Sequence, residues 1–158
     1  MDRATYVYVT YIATTPEKLW QALTSGVFTR QYWFGRRVES DWQQGSKVTY
    51  WIDESQADFT GKVLRVEPHR LLSFTFQPEA NKALREEPPS RVTFEIEPVG
   101  TSVKLTTTHD ELVPGGKVFE GISSGWPVIL STLKTLLETG KPLPIDTKIP
   151  GDCPSTVA

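Results

Sequence analysis

An α+β fold is predicted, with an antiparallel sheet covering one long C-terminal helix. Three observations carry this. A β-branched and aromatic run opens the chain and leads straight into a capped helix start. Segments of period two, separated by turn residues, fill the middle. From Phe119 to Leu137, apolar residues recur at three- and four-residue steps.

Thr5 to Ile12 reads as the first strand. Tyr6, Tyr8, Thr10 and Ile12 share one face and Val7, Val9 and Tyr11 the other, so neither face is polar and a homodimer through this strand is one expectation. Thr15 is placed to cap a helix with Pro16 at its first position and Glu17 in its first turn; Leu19, Trp20 and Leu23 form the apolar side. Thr24-Ser25-Gly26 ends it, and a second short helix is expected over Val27 to Tyr32. Six further strands are expected at Val38–Trp42, Lys47–Asp53, Phe59–Glu67, Leu71–Gln77, Arg91–Glu97 and Ser102–Asp110. Gln44-Gly45, Glu54-Ser55, Pro68-His69 and Val99-Gly100 supply turns between them. Pro78 to Ser90 is longer, contains Pro88-Pro89 and is expected to be a flexible loop.

The final helix carries Phe119, Ile122, Trp126, Ile129, Leu130, Leu133, Leu136 and Leu137 on one stripe. Pro127 removes a backbone donor, so either the helix bends there or a new one starts with Ser124 near its cap. Gly140 is the natural stop. Residues 1–140 are read as one domain, and 141–158, with four prolines and no periodicity, as a strap or a disordered tail. A twisted meander of this size curls. The hollow left between sheet and helix is expected to hold side chains or a ligand.

A chain of 158 residues buries roughly 70% of its unfolded surface and needs no staple. Its one cysteine, Cys153, excludes an internal disulfide, is expected to have no role, and fits a reducing, cytoplasmic setting. There is no apolar signal region at the start and no run long enough for a membrane span. Seventeen basic and nineteen acidic residues are interspersed, without the basic stripe of a nucleic-acid binder. Five Trp, seven Phe and five Tyr are enough to build both a core and the walls of an apolar pocket.

Several segments together resemble a known family. The stretch Ile12-Ala13-Thr14-Thr15-Pro16-Glu17-Lys18-Leu19-Trp20-Gln21-Ala22-Leu23-Thr24 is similar to the opening of the START-like superfamily, also called SRPBCC or Bet v-like proteins. Trp33-Phe34-Gly35, Val38-Glu39-Ser40-Asp41-Trp42 and Gly125-Trp126-Pro127-Val128-Ile129-Leu130-Ser131-Thr132-Leu133-Lys134 resemble the branch related to the C-terminal domain of the heat-shock protein 90 ATPase activator. The resemblance covers about residues 5–140. It implies a helix-grip fold: a curved seven-stranded antiparallel sheet around the C-terminal helix, two short helices after the first strand, and a hydrophobic cavity. It implies no catalytic motif, because members range from ligand carriers to cyclases and chaperone cofactors.

Candidate pocket residues are Trp33, Trp42, Tyr50, Phe59, Phe74, Phe76, His109, Trp126 and Leu130. Trp126, on the gripped helix, leads, and Trp33 is expected at the cavity mouth. A buried indole N–H needs an acceptor, and a polar handle in an apolar wall is what orients a ligand. His109 shares a strand face with Thr107 and Leu105 and is read as hydrogen-bonded at the pocket rim, with ligand binding or proton transfer as the alternative. His69 falls in an exposed turn. Asp110-Glu111 and Glu86-Glu87 are read as solvated charge, since neighbours on a strand face opposite ways. No metal-ligand spacing, nucleophile elbow or phosphate cradle is present, and neither a cofactor nor a catalytic residue is assigned. The expected function is binding of a small hydrophobic or aromatic molecule. A cyclase- or hydrolase-type enzyme and a chaperone ATPase co-regulator are the alternatives.

Overall fold

The computed structural model describes residues 2–144. The chain enters the sheet with β1 (Ala4–Ile12) and leaves it at once for two helices, α1 (Pro16–Thr24) and α2 (Gly26–Tyr32). Thr15 caps α1 by accepting from the Lys18 N–H at 3.2 Å, and Pro16 occupies the position where no donor is needed. The helices carry the chain across to the far edge of the sheet. It returns strand by strand through β2 (Arg37–Ser40), β3 (Lys47–Trp51), β4 (Ala57–Glu67), β5 (Leu71–Pro78), β6 (Ser90–Val99) and β7 (Ser102–Leu112). The order is β1-β7-β6-β5-β4-β3-β2, every pair is antiparallel, and β1 and β2 form the two edges.

Period-two patterning explains which face turns inward. Val92, Phe94 and Ile96 of β6 and Val103, Leu105, Thr107 and His109 of β7 are buried, while Arg91, Glu95 and Glu97 are exposed. The sheet curls around the final helix, which lies on its inner face and touches both β1 and α2. Gly61 marks one tight point in that curl. A Cβ there would stand 1.7 Å from the carbonyl oxygen of Thr75, so only glycine lets β4 and β5 approach beside their register shift.

Several sequence expectations need correction. The segment 78–90 is not wholly irregular, because Asn81 accepts from the Leu84 N–H and starts a short helix, α3 (Lys82–Arg85), that buries Leu84. The final helix, α4 (Lys117–Thr139), runs unbroken through Pro127, so no new helix starts at Ser124. The proline ring stands on a half-buried face of a long helix, where packing of the flanking Trp126, Ile129 and Leu130 outweighs one lost backbone bond. Strand β2 stops at Ser40, short of Trp42: the Ser40 hydroxyl accepts from the Trp42 N–H at 3.0 Å and Trp42 takes a φ of 54°. Glu87 is not a solvated charge. Its carboxylate accepts from the Lys117 N–H at 2.8 Å and faces that of Val118 at 3.4 Å, closing the N-terminus of α4. Asp110 pairs with Arg91 across β6 and β7. The expectations for Cys153 and for the tail from residue 145 onward lie outside the described residues; residues 141–144 have no regular structure.

Candidate interior ligand site

Aromatic side chains from the residue that ends α2 and from β3, β4, β5, β7 and α4 meet under the sheet. Six rings close a circuit. Trp33 lies 4.5 Å from Tyr50 between ring centroids, Tyr50 4.2 Å from Phe59, and Phe59 4.1 Å from Phe76. Phe76 then meets His109 at 4.8 Å, His109 meets Trp126 at 6.0 Å, and Trp126 returns to Trp33 at 5.1 Å. Phe74 flanks the circuit beside Tyr50, and Leu130 sits one turn along α4 from Trp126. All of these side chains are buried.

Eight of the nine sequence candidates therefore occupy one interior. Trp42 is the ninth and stands apart: half-buried, it donates from its indole to the carbonyl of Thr24 at the end of α1. Trp33 is in the middle of the interior rather than at a mouth, with 1% of its surface exposed. His109 is likewise not at a rim, because α4 covers it completely.

The polar atoms of this interior fall into two groups. Trp126 is a donor only, and its Nε1–H points at Nδ1 of His109 at 3.1 Å. That bond makes Nδ1 the acceptor and leaves the proton on Nε2, which donates to the Ser90 hydroxyl at 2.7 Å. Ser90 in turn donates to the carbonyl of Phe76. Burial holds the imidazole neutral, pulling its pKa from 6.5 down to about 3, with Asp110 opposing weakly. Both ring nitrogens are engaged.

Across the circuit the accounts do not balance. Trp33 Nε1 and Tyr50 Oη are buried without a hydrogen-bond partner among the described residues. Desolvation raises the Tyr50 phenol well above its ordinary pKa, so it is a neutral hydroxyl. Thr107 Oγ1, two residues before His109 on the same face, is also unpartnered.

Beside Tyr50 and Phe59 lies a charge pair. Arg36 donates from Nε to Asp58 Oδ2 at 2.9 Å and from Nη1 to the carbonyl of Phe34. Asp58 is fully buried and its Oδ1 has no partner among the described residues. Burial raises its pKa to about 6, outweighing the opposing pull of the Arg36 guanidinium. The sequence analysis missed this pair and Ser90. Asp58 follows an acidic turn and precedes the expected start of its strand, so its sequence context reads as solvent-exposed.

A family model described as "Activator of Hsp90 ATPase homolog 1-like protein" matches residues 13–138. The chain belongs to this family. Among solved structures, protein MLL2253 from Mesorhizobium loti is 28% identical with a TM-score of 0.72, over 85% of this chain and 96% of that one. An Aha1 dimer from Colwellia psychrerythraea, solved in solution, is 20% identical with a TM-score of 0.71, over 87% and 98%. PFC0360w, an HSP90 activator from Plasmodium falciparum, is 20% identical with a TM-score of 0.71, over 84% and 95%. The last two likenesses show the fold alone. The comparison with curated proteins gave no match. Among the described residues no helix is long and apolar enough to cross a membrane.

Proposed function

We propose that the interior ringed by Trp33, Tyr50, Phe59, Phe76, His109 and Trp126 binds a small hydrophobic or aromatic molecule. The observation that supports this best is the pair of unpartnered polar atoms, Trp33 Nε1 and Tyr50 Oη, on two rings in contact. A buried donor or acceptor left unpaired costs about 1–3 kcal/mol. Side chains chosen only to fill a core would be phenylalanine or leucine; an indole and a phenol at these points supply handles for a guest. The guest stacks between rings that otherwise rest on one another, and its polar group meets the handles.

Native mass spectrometry with a panel of naphthalene derivatives, alongside the fluorescence of the buried tryptophans, tests the reading. A one-to-one adduct with quenched emission is the expected result, and quenching is lost in Trp126→Phe and Trp33→Phe together. Absence of adduct and of quenching across the panel would overturn it.

A second reading, a chaperone ATPase co-regulator, draws support from the family description and from the Plasmodium relative. Stimulation of the cognate chaperone's ATPase by the purified chain decides it, and no change in turnover defeats it. The Colwellia relative also supports a homodimer, for which the edge strand β1, with Val7, Val9 and Tyr11 exposed, is the proposed surface. A Val9→Lys chain that stays dimeric by light scattering would remove that surface from consideration.

A further inference from the structure

The two edges of the sheet are finished differently. Strand β2 is four residues long, and α2 lies against it. The Val38 N–H donates to the Thr29 hydroxyl at 3.0 Å, and Gly26 stands so near that a Cβ on it would be 2.8 Å from the Val38 carbonyl oxygen. That edge is closed. Strand β1 is nine residues long, and α4 closes only its far end. Lys134 Nζ donates to the Tyr11 carbonyl at 2.6 Å, and the Ala13 N–H donates to Glu138 Oε2 at 2.8 Å. Both backbone groups therefore point away from β7. Alternate residues of a strand turn their backbone groups to the same side, so Thr5, Val7 and Val9 also offer N–H and C=O at this edge. Among the described residues no strand lies beside them. Val7, Val9 and Tyr11 add apolar side chains on the outer face, exposed at 54%, 46% and 52%.

We infer that this edge pairs with the same edge of a second copy, antiparallel and with Tyr8 on the two-fold axis, so that two sheets become one. The inference rests on the homodimer reading and supplies its geometry. Identical strands brought edge to edge by a two-fold run antiparallel. The register follows from where α4 stops the strand. The open stretch runs from Thr5 to the Tyr11 N–H, and its centre is Tyr8. Only a pairing centred there uses the whole stretch of both copies. Val7 then faces Val9 of the other copy, the two exchange both backbone bonds, and the valines of both copies form one apolar row on the outer face. Charge favours a second copy over an unrelated strand. In this register Arg3 comes opposite Ala13 of the other copy, the residue that Glu138 holds. Arg3 is exposed and has no ion pair among the described residues, while the hydrogen bonds of Glu138 fall on Oε2 alone.

Two charged double variants read the register by light scattering and sedimentation, and both change only exposed side chains. Val7→Lys with Val9→Lys sets lysine against lysine across the axis. Val7→Lys with Val9→Glu sets lysine against glutamate on both sides of it. The second is expected to dimerise at least about tenfold more tightly than the first, because directly opposed like charges repel and unlike charges attract. In a Cys153→Ser background, Tyr8→Cys should also form an interchain disulfide on oxidation. Residues that face each other without exchanging backbone bonds stand about 4.5 Å apart between Cα atoms, within disulfide reach. Equal dimerisation of the two double variants, or no crosslink in a Tyr8→Cys chain that dimerises, would overturn the strand pairing and leave a homodimer through another surface standing. An intact chain that stays monomeric would remove the homodimer and the pairing together.

Discussion

On the β7 side of the interior, His109 uses both nitrogens and passes its proton's hydrogen bond on to Ser90, while Trp126 uses its one donor. On the opposite side, Trp33, Tyr50 and Asp58 each keep a polar atom idle at the same depth of burial. Both corners are aromatic, and both are buried. The difference lies in which donors and acceptors have partners: one polar network is closed on itself, and the other leaves atoms idle, as the proposed ligand site requires. Thr107 is the exception on the first side, an idle hydroxyl next to the engaged histidine.

Acid titration drives the two corners in opposite directions and has the largest expected effect. The unfolded His109 takes a proton below pH 6.5, whereas the folded one resists until about 3, so stability is lost as pH falls through that window. A shift of this size amounts to about 5 kcal/mol. Asp58 works the other way. Its folded pKa of about 6 lies above the ordinary 3.8, so between these values the folded form holds a proton that the unfolded form lacks, and acid stabilises. That gain is roughly 3 kcal/mol. Urea unfolding from pH 7 to 4 should therefore show a shallow slope for the intact chain. The slope should be steeper for Asp58→Asn, which loses the compensating gain, and reversed in His109→Gln relative to the intact chain. Parallel slopes in all three would show that the corners do not differ.

Removing the histidine outright comes next. His109→Ala takes away a ring packed against Phe76 and Trp126, strands the Trp126 Nε1–H donor, and removes the proton that the Ser90 hydroxyl accepts. A cavity and an unpaired buried donor together should cost about 3–5 kcal/mol in chemical denaturation. A loss below about 1 kcal/mol would mean that the network is dispensable, and the contrast with the other corner would fail.

How far these corners could be read from residues alone differs for a physical reason. Alternation in Leu105, Thr107 and His109 fixes which way the histidine faces, and the three- and four-residue stripe fixes that Trp126 faces the sheet. Their meeting follows once a helix must cover a sheet. What the pattern does not carry is depth: a strand end reads as a rim until α4 is laid over it. Asp58 is hidden more thoroughly. Its inward position depends on one extra residue in β4 and on Arg36 arriving from the turn after α2, and neither a bulge nor a contact between residues 22 positions apart leaves a periodic trace. Trp42 fails for a local reason, since the Ser40 hydroxyl captures its backbone N–H and ends the strand early. The continuity of α4 through Pro127 was undecidable in sequence because packing, not propensity, settles it.

The smallest effect is the sharpest test of the comparison, because its sign is unusual. Tyr50→Phe deletes a hydroxyl that has no partner among the described residues and keeps the ring that stacks on Phe59 and Trp33. Losing an engaged buried hydroxyl destabilises, as it should for Tyr32→Phe, where the phenol donates to the Ala22 carbonyl at 2.8 Å. Losing an idle one removes a desolvation cost, so Tyr50→Phe should leave the free protein unchanged or up to about 1 kcal/mol more stable. Binding of 2-naphthol should weaken in the same variant. A tyrosine kept where phenylalanine folds better is kept for something other than folding. Destabilisation of Tyr50→Phe equal to that of Tyr32→Phe would show that the hydroxyl is engaged in the free protein, and would erase the distinction between the two corners at its origin.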